Sequence, residues 1–295
     1  MPVILAYIAV VIVWSTTPLG VKWSGDGISP VLGAFARIVL ATMCAWVLAR
    51  ALRISVPWNK QAVTAYFYAN IGWVGLISVY LAASVLPSGL ISVIFGLSPI
   101  VSALVSRYLL PDVEFGLAQW LATLLGVAGL LVIFQGDLVL DSSHYWAVVL
   151  VLIGVLGFCL SGVLIKRLDA GLHPLSQTAG SLTLAIPLYG LSAWALNDGM
   201  VAPSHKAIGA IIYLGLVGSL VGFLCYFYIL RRMAPTSVAL IPLMTPVFAI
   251  SLGAWLNNEA ITESLLIGAG CILLGLLMFH WPFKPARAIL AKSSG

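Results

Sequence analysis

The chain has 295 residues, of which 62% are apolar and 8% charged, against about 45–50% and 25% in soluble globular proteins. Its mean hydropathy is +1.11, and its formal charge of +5 goes with a pI near 9.1. So few charges cannot cover a water-facing surface, which excludes a soluble enzyme, a disordered chain and a nucleic-acid-binding domain, and leaves an integral membrane protein whose solvent is the lipid bilayer.

A membrane-spanning helix needs about 20 mostly apolar residues. Ten segments qualify, near 3–22, 30–51, 62–84, 87–109, 117–135, 144–165, 174–196, 207–230, 234–256 and 263–283. The runs are continuously apolar, where barrel strands would alternate, so an all-α protein is expected. Only Met1 and Pro2 precede the first run, and it continues through Trp14 and Pro18 without a small-residue cleavage site, so it reads as a permanent span. Cys44, Cys159, Cys225 and Cys271 all fall inside predicted helices without metal-ligand spacing, and no metal or other cofactor is expected.

With the N-terminus inside, the cytoplasmic segments hold Arg50, Arg53, Lys60, Arg107, Lys166, Arg167, Arg231, Arg232, Lys284, Arg287 and Lys292. The other side holds Lys22 and Lys206, and Arg37 is left within the second span. This eleven-to-two split predicts both termini in the cytoplasm and supports the count of ten, because losing one span would flip every later loop.

The two halves also match at a nearly constant offset. Trp14 and Lys22 correspond to Phe158 and Lys166, Pro30 to Pro174, Tyr80 and Pro87 to Tyr228 and Pro235, and Pro99 to Pro246. The expected organisation is a five-helix repeat over 1–140, a second over 141–283 and a basic cytoplasmic tail over 284–295. An odd number of spans per repeat inserts the second repeat upside down, the architecture of secondary transporters with a midplane substrate site between the repeats.

The run Trp14-Ser15-Thr16-Thr17-Pro18-Leu19-Gly20-Val21-Lys22, the Pro30…Arg37…Ala41 pattern, and Leu86-Pro87-Ser88-Gly89 through Ser98-Pro99 to Glu114 resemble the drug/metabolite transporter superfamily, specifically its EamA-type members. The matching second-half run is Ala234-Pro235-Thr236 through Thr245-Pro246 to Glu259, and Ser181 stands where Arg37 would recur. The resemblance covers essentially the whole chain. It implies a multi-pass exporter of the cell inner membrane that takes small metabolites, amino acids or related compounds first. Drugs or other metabolites are the alternative cargo, and a monomer is the expected functional unit. It also implies that spans one, three, four, six, eight and nine line the path, which makes Thr17, Ser98, Ser161, Tyr226 and Thr245 candidate binding residues.

Arg37 lies seven residues past Pro30, or about 10 Å deep at 1.5 Å per residue. Such an arginine faces a wet cavity and holds a carboxylate, or it snorkels to the surface or bonds carbonyls at a kink. Trp14, Trp73 and Tyr80 offer an aromatic wall. Asn70, Trp73, Ile77, Tyr80 and Ser84 share one face of the third span, and Ser88, Ser92, Phe95, Pro99, Ser102 and Ser106 one face of the fourth. Pro18, Pro99, Pro242 and Pro246 interrupt their helices and are candidate hinges. Every acidic residue falls in or near a loop, so no side chain at membrane depth offers itself as a proton relay. Intramembrane proteolysis would need paired aspartates, a Ser–His pair or a His cluster at that depth, and a Walker-type loop is also missing.

Overall fold

The computed structural model describes residues 2–109, 117–135, 144–196, 202–233, 238 and 241–280. The expectations for Glu114, Pro235 and the tail 284–295 lie outside them. Among the described residues every regular element is helical. In chain order these are α1 Val3–Ser24, α2 Pro30–Ala51, α3 Lys60–Ala83, α4 Ser88–Phe95, α5 Ser98–Leu109, α6 Leu117–Gln135, α7 Tyr145–Leu168, α8 Pro174–Ala195 and α9 His205–Tyr213. A π-helical segment Leu214–Val221 then leads into α10 Gly222–Leu230, followed by α11 Ile241–Asn257 and α12 Glu263–His280. Among the described residues six helices, counting α4–α5 and α9–α10 as one each, are long and apolar enough to cross a membrane, as expected of a multi-pass membrane protein.

Local chemistry sets the helix starts. Pro30 and Pro174 occupy the first turns of α2 and α8, where a missing N–H costs no hydrogen bond. Asn59 caps α3 by accepting the Ala62 N–H at 2.9 Å, and Ser204 caps α9 by accepting that of Ala207 at 3.0 Å. Asp169, with φ of 41°, ends α7 in a left-handed turn.

The segment expected as one span over 87–109 is broken at Gly96–Leu97 into α4 and α5. Pro99 has no N–H to return to the Phe95 carbonyl four residues earlier. The Ser98 hydroxyl donates to that carbonyl at 2.5 Å instead, so Ser98 mends the break that Pro99 makes. Pro242 and Pro246 fall within α11, and their side chains lie outside the described residues.

Helix α3 packs along α7, α2 along α8, α6 along α12 and α1 along α11. The α3–α7 seam is close, because a Cβ on Gly75 would sit 3.0 Å from the Gly154 carbonyl oxygen. Small residues let membrane helices approach to backbone contact, which replaces the hydrophobic drive that lipid removes. Gly75→Val should therefore destabilise the protein by about 1–3 kcal/mol. Thermal unfolding in detergent checks this, with Gly209→Ala, whose Cβ meets open space, as the variant expected to melt like the parent.

Candidate substrate site

A cavity of about 110 Å³ opens where α1, α2, α3, α4, α7, α10 and α11 meet, room for several water molecules. Helix α1 contributes Trp14, Thr17, Pro18 and Val21 because the i, i+3, i+4, i+7 stripe of a helix shares one face. Helix α4 contributes Ile91, Ser92 and Phe95, α7 Gly154, Phe158 and Ser161, and α10 Phe223, Tyr226 and Phe227. Thr245 of α11 completes the wall.

The wall carries six aromatic rings, those of Trp14, Phe95, Phe158, Phe223, Tyr226 and Phe227. The Trp14 ring lies 5.3 Å from Phe158, 5.4 Å from Tyr226 and 5.9 Å from Phe223, and Phe158 and Tyr226 are 5.4 Å apart. These separations fit edge-on and tilted ring contacts, which hold broad apolar faces rigidly toward a ligand. Trp73 stands behind the wall, its ring tilted 33° to that of Phe223 with centroids 4.2 Å apart.

Among the described lining residues one is charged. Arg37 is 2% exposed and does not reach the surface, so the snorkelling reading gives way to an interior one. Its Nε–H donates to Ser219 Oγ at 2.6 Å and its Nη1 to the Tyr80 hydroxyl at 3.0 Å. Ser219 belongs to the π-helical segment, where one residue more per turn shifts the register of side chains. Two glycines here make room for the site: a Cβ on Gly218 would meet the Arg37 guanidinium at 3.2 Å, and one on Gly222 the Trp14 indole nitrogen at 3.1 Å. Ser92 is buried with its hydroxyl unpartnered among the described residues, on a wall that offers few other polar atoms.

Of the candidates read from the sequence, Trp14, Thr17, Pro18, Arg37, Phe95, Ser161, Tyr226 and Thr245 meet at this cavity. Trp73, Tyr80, Ser98 and Pro99 are buried beside it and do not line it. The polar face expected of the third span is turned elsewhere. Asn70 donates to the Tyr66 and Ser181 carbonyls, tying α3 to α8, and the cavity receives the neighbouring stripe Ala69, Gly72, Leu76 and Val79. The reason is steric, since the glycine seam fixes how α3 is rotated against α7. Phe158, Phe223 and Ser219 were not singled out. Phe158 was legible as the repeat partner of Trp14, while the π register of Ser219 leaves no sequence signal.

The sequence profile of the EamA-like transporter family matches residues 1–135 and 145–281. The chain belongs to the EamA-like transporter family. It is 23% identical over 297 residues to a protein of Escherichia coli (strain K12) named as an uncharacterized inner membrane transporter, YedA, covering 98% of this chain and 95% of that one. It is 21% identical to the uncharacterized transporter YoaV of Bacillus subtilis (strain 168), covering 96% and 98%. A crystal structure at 16% identity superposes with a TM-score of 0.72 over 94% of this chain and 96% of the other, a likeness of fold. This EamA-family chain is thus a membrane transporter.

Removing the arginine leaves Ser219 and Tyr80 buried without their donor, a cost of about 1–3 kcal/mol. Arg37→Ala should lower the melting temperature of the purified transporter by several degrees, with Arg37→Lys intermediate. Ser92→Ala, which removes a hydroxyl without a partner, should not lower it.

Proposed function

We propose that this transporter exports small metabolites that carry a carboxylate, amino acids or related compounds first, by alternating access between two inverted five-helix repeats. The observation that carries the reading is Arg37. It is a buried cation at the edge of an aromatic cavity, and no acid stands among that cavity's described lining residues. A guanidinium in a low-dielectric wall attracts a planar anion by charge-assisted hydrogen bonds, and the rings accept an apolar body. The acid-free wall argues against a cationic drug as cargo, while its apolar area keeps other amphipathic metabolites as the second reading.

The contact pattern supports the inverted repeats. Lys22 Nζ donates to the Leu86 carbonyl at 3.2 Å, and Lys166 Nζ to the Leu230 carbonyl at 3.1 Å, each across 64 residues. The seam of α3 with α7 has its counterpart in the packing of α1 with α9 and α10, and that of α3 with α8 in the packing of α2 with the π-helical segment. The family profile also matches two successive stretches of similar length. The proposed repeats are 1–140 and 141–283, with ten spans.

Contacts between connecting segments sort into two ends, which supports the proposed topology. Ser204 bonds Asp26, and Trp23 bonds Asn257, at one end. Ser176 bonds the Ser55 carbonyl, and Arg231 that of Leu172, at the other. The second end carries most of the basic residues and is the cytoplasmic side, with both termini, in the cell inner membrane. One chain contains the whole cavity, and a monomer is the working unit.

The test is efflux of labelled amino acids from proteoliposomes loaded with each in turn, with and without a pH gradient. Saturable efflux that falls at least about tenfold in Arg37→Lys, roughly 1.4 kcal/mol of lost interaction, is the expected result. Efflux of uncharged compounds alone, untouched by that substitution, would overturn the carboxylate reading.

A further inference from the structure

Outside the cavity, the described residues include a charged knot where three cavity-lining helices end. Glu259 follows α11 by two residues, after Asn258 turns the chain back with a φ of 51°. Its N–H donates to the Gly253 carbonyl at 3.1 Å, which folds the loop over the end of α11. One carboxylate oxygen accepts the Ser88 hydroxyl at 2.8 Å and the Gly89 N–H at 3.3 Å, both in the first turn of α4. The other accepts the Asn257 amide at 3.0 Å and stands 3.9 Å from Lys22 Nζ, at the end of α1. Asn257 in turn accepts the Trp23 indole N–H at 3.0 Å, and Lys22 holds the Leu86 carbonyl.

Each participant restrains a wall of the cavity. Helix α1 carries Trp14 and Thr17, α4 carries Ser92 and Phe95, and α11 carries Thr245. The Glu259 side chain is 9% exposed, so its charge is largely removed from water and depends on these donors. The carboxylate also sits against the positive end of α4, where anions are held best. Lys166, the repeat counterpart of Lys22, binds the Leu230 and Arg231 carbonyls at the other end.

We propose that Glu259 is a positioning residue, a latch that seals the outer seam between α1 and the α4–α11 pair. The latch rests on the alternating-access reading and names the group that sets when the outer side of the cavity opens. While Glu259 holds Lys22, Ser88 and Asn257 together, the outer ends of the three helices move as one. Its release separates α1 from α4 and exposes the cavity.

The experiment places a cysteine at Ser92 in a chain whose four natural cysteines are replaced by alanine or serine, and measures its modification from the outer face by a membrane-impermeant maleimide. Glu259→Gln should speed modification about tenfold, the size of a modest conformational coupling. Glu259→Asp should return it toward the parent rate. Gly253→Ala should act like Glu259→Gln without changing any charge, because its Cβ would stand 2.5 Å from the carboxylate oxygen and 2.9 Å from Ser88 Oγ.

An unchanged rate in Glu259→Gln and Gly253→Ala, both eluting as folded protein, overturns the latch, and if one fails to fold the other decides. A cysteine at Ala170, at the opposite end, should keep its rate from the inner face. A rise at both positions would mean general loosening and would also overturn it. Labelling needs no cargo, so failure of the latch is distinct from failure to find efflux.

Discussion

A single buried cation organises the middle of this protein. Arg37 is taken from water, and burial of an unpaired charge in a low-dielectric medium is prohibitive unless neighbours supply acceptors. Ser219 and Tyr80 do so, and the Tyr80 ring lies with its centroid 5.9 Å from the guanidinium carbon. This demand reaches outward. The acceptor Ser219 needs the π-helical register, close approach at Gly218 needs a missing side chain, and Trp73 and Phe223 pack beside them in consequence. The polar centre therefore acts as a fixed point around which the apolar helices are clocked.

Beyond that centre, cohesion comes from fit. Lipid is as apolar as leucine, so burying leucine gains little, and helices associate where backbones can touch or where polar groups exchange bonds. Both devices occur side by side. The Gly75–Gly154 approach brings α3 to α7, and the Asn70 amide and Tyr189 hydroxyl bond main-chain carbonyls across the α3–α8 contact. The large exposed residues are the complement. Leu191 and Trp194 on α8 and Met43 and Val47 on α2 face outward, where hydrocarbon solvates them.

What the sequence disclosed follows from which physical signals are one-dimensional. Continuous apolar runs, charge asymmetry between loops and prolines at helix starts are read along the chain, and the helices begin close to where those signals put them, Pro30 and Pro174 among them. The meeting of Trp14, Arg37, Phe95, Ser161, Tyr226 and Thr245 at one cavity was legible because the repeat and the family resemblance indicated the lining spans. Rotation about the helix axis was harder. In lipid every face is apolar, so the face of α3 that bears Trp73 and Tyr80 looked like a cavity wall, when steric contact at its glycines turns it inward. The break at Gly96–Leu97 and the partner of Ser98 depend on where a single freed carbonyl finds a donor, which residue spacing does not encode. Glu259 looked like an ordinary loop acid, because its burial arises from a turn at Asn258 and donors far away in sequence.

The acid-free surroundings of Arg37 have an electrical consequence. A fixed charge inside the membrane feels the transmembrane voltage, about 2.3 kcal/mol for a full crossing at 100 mV. Among the described residues that line the cavity nothing negative offsets it. When the aqueous access of such a site passes from one side of the membrane to the other, the cation's position in the field changes even though its coordinates barely move. An occupied site with a mono-anionic guest is electrically silent, whereas the vacant site is not. With the interior negative, the field favours the vacant cation facing inward, so the resting voltage of the cell biases the empty cavity toward the side from which cargo would be taken.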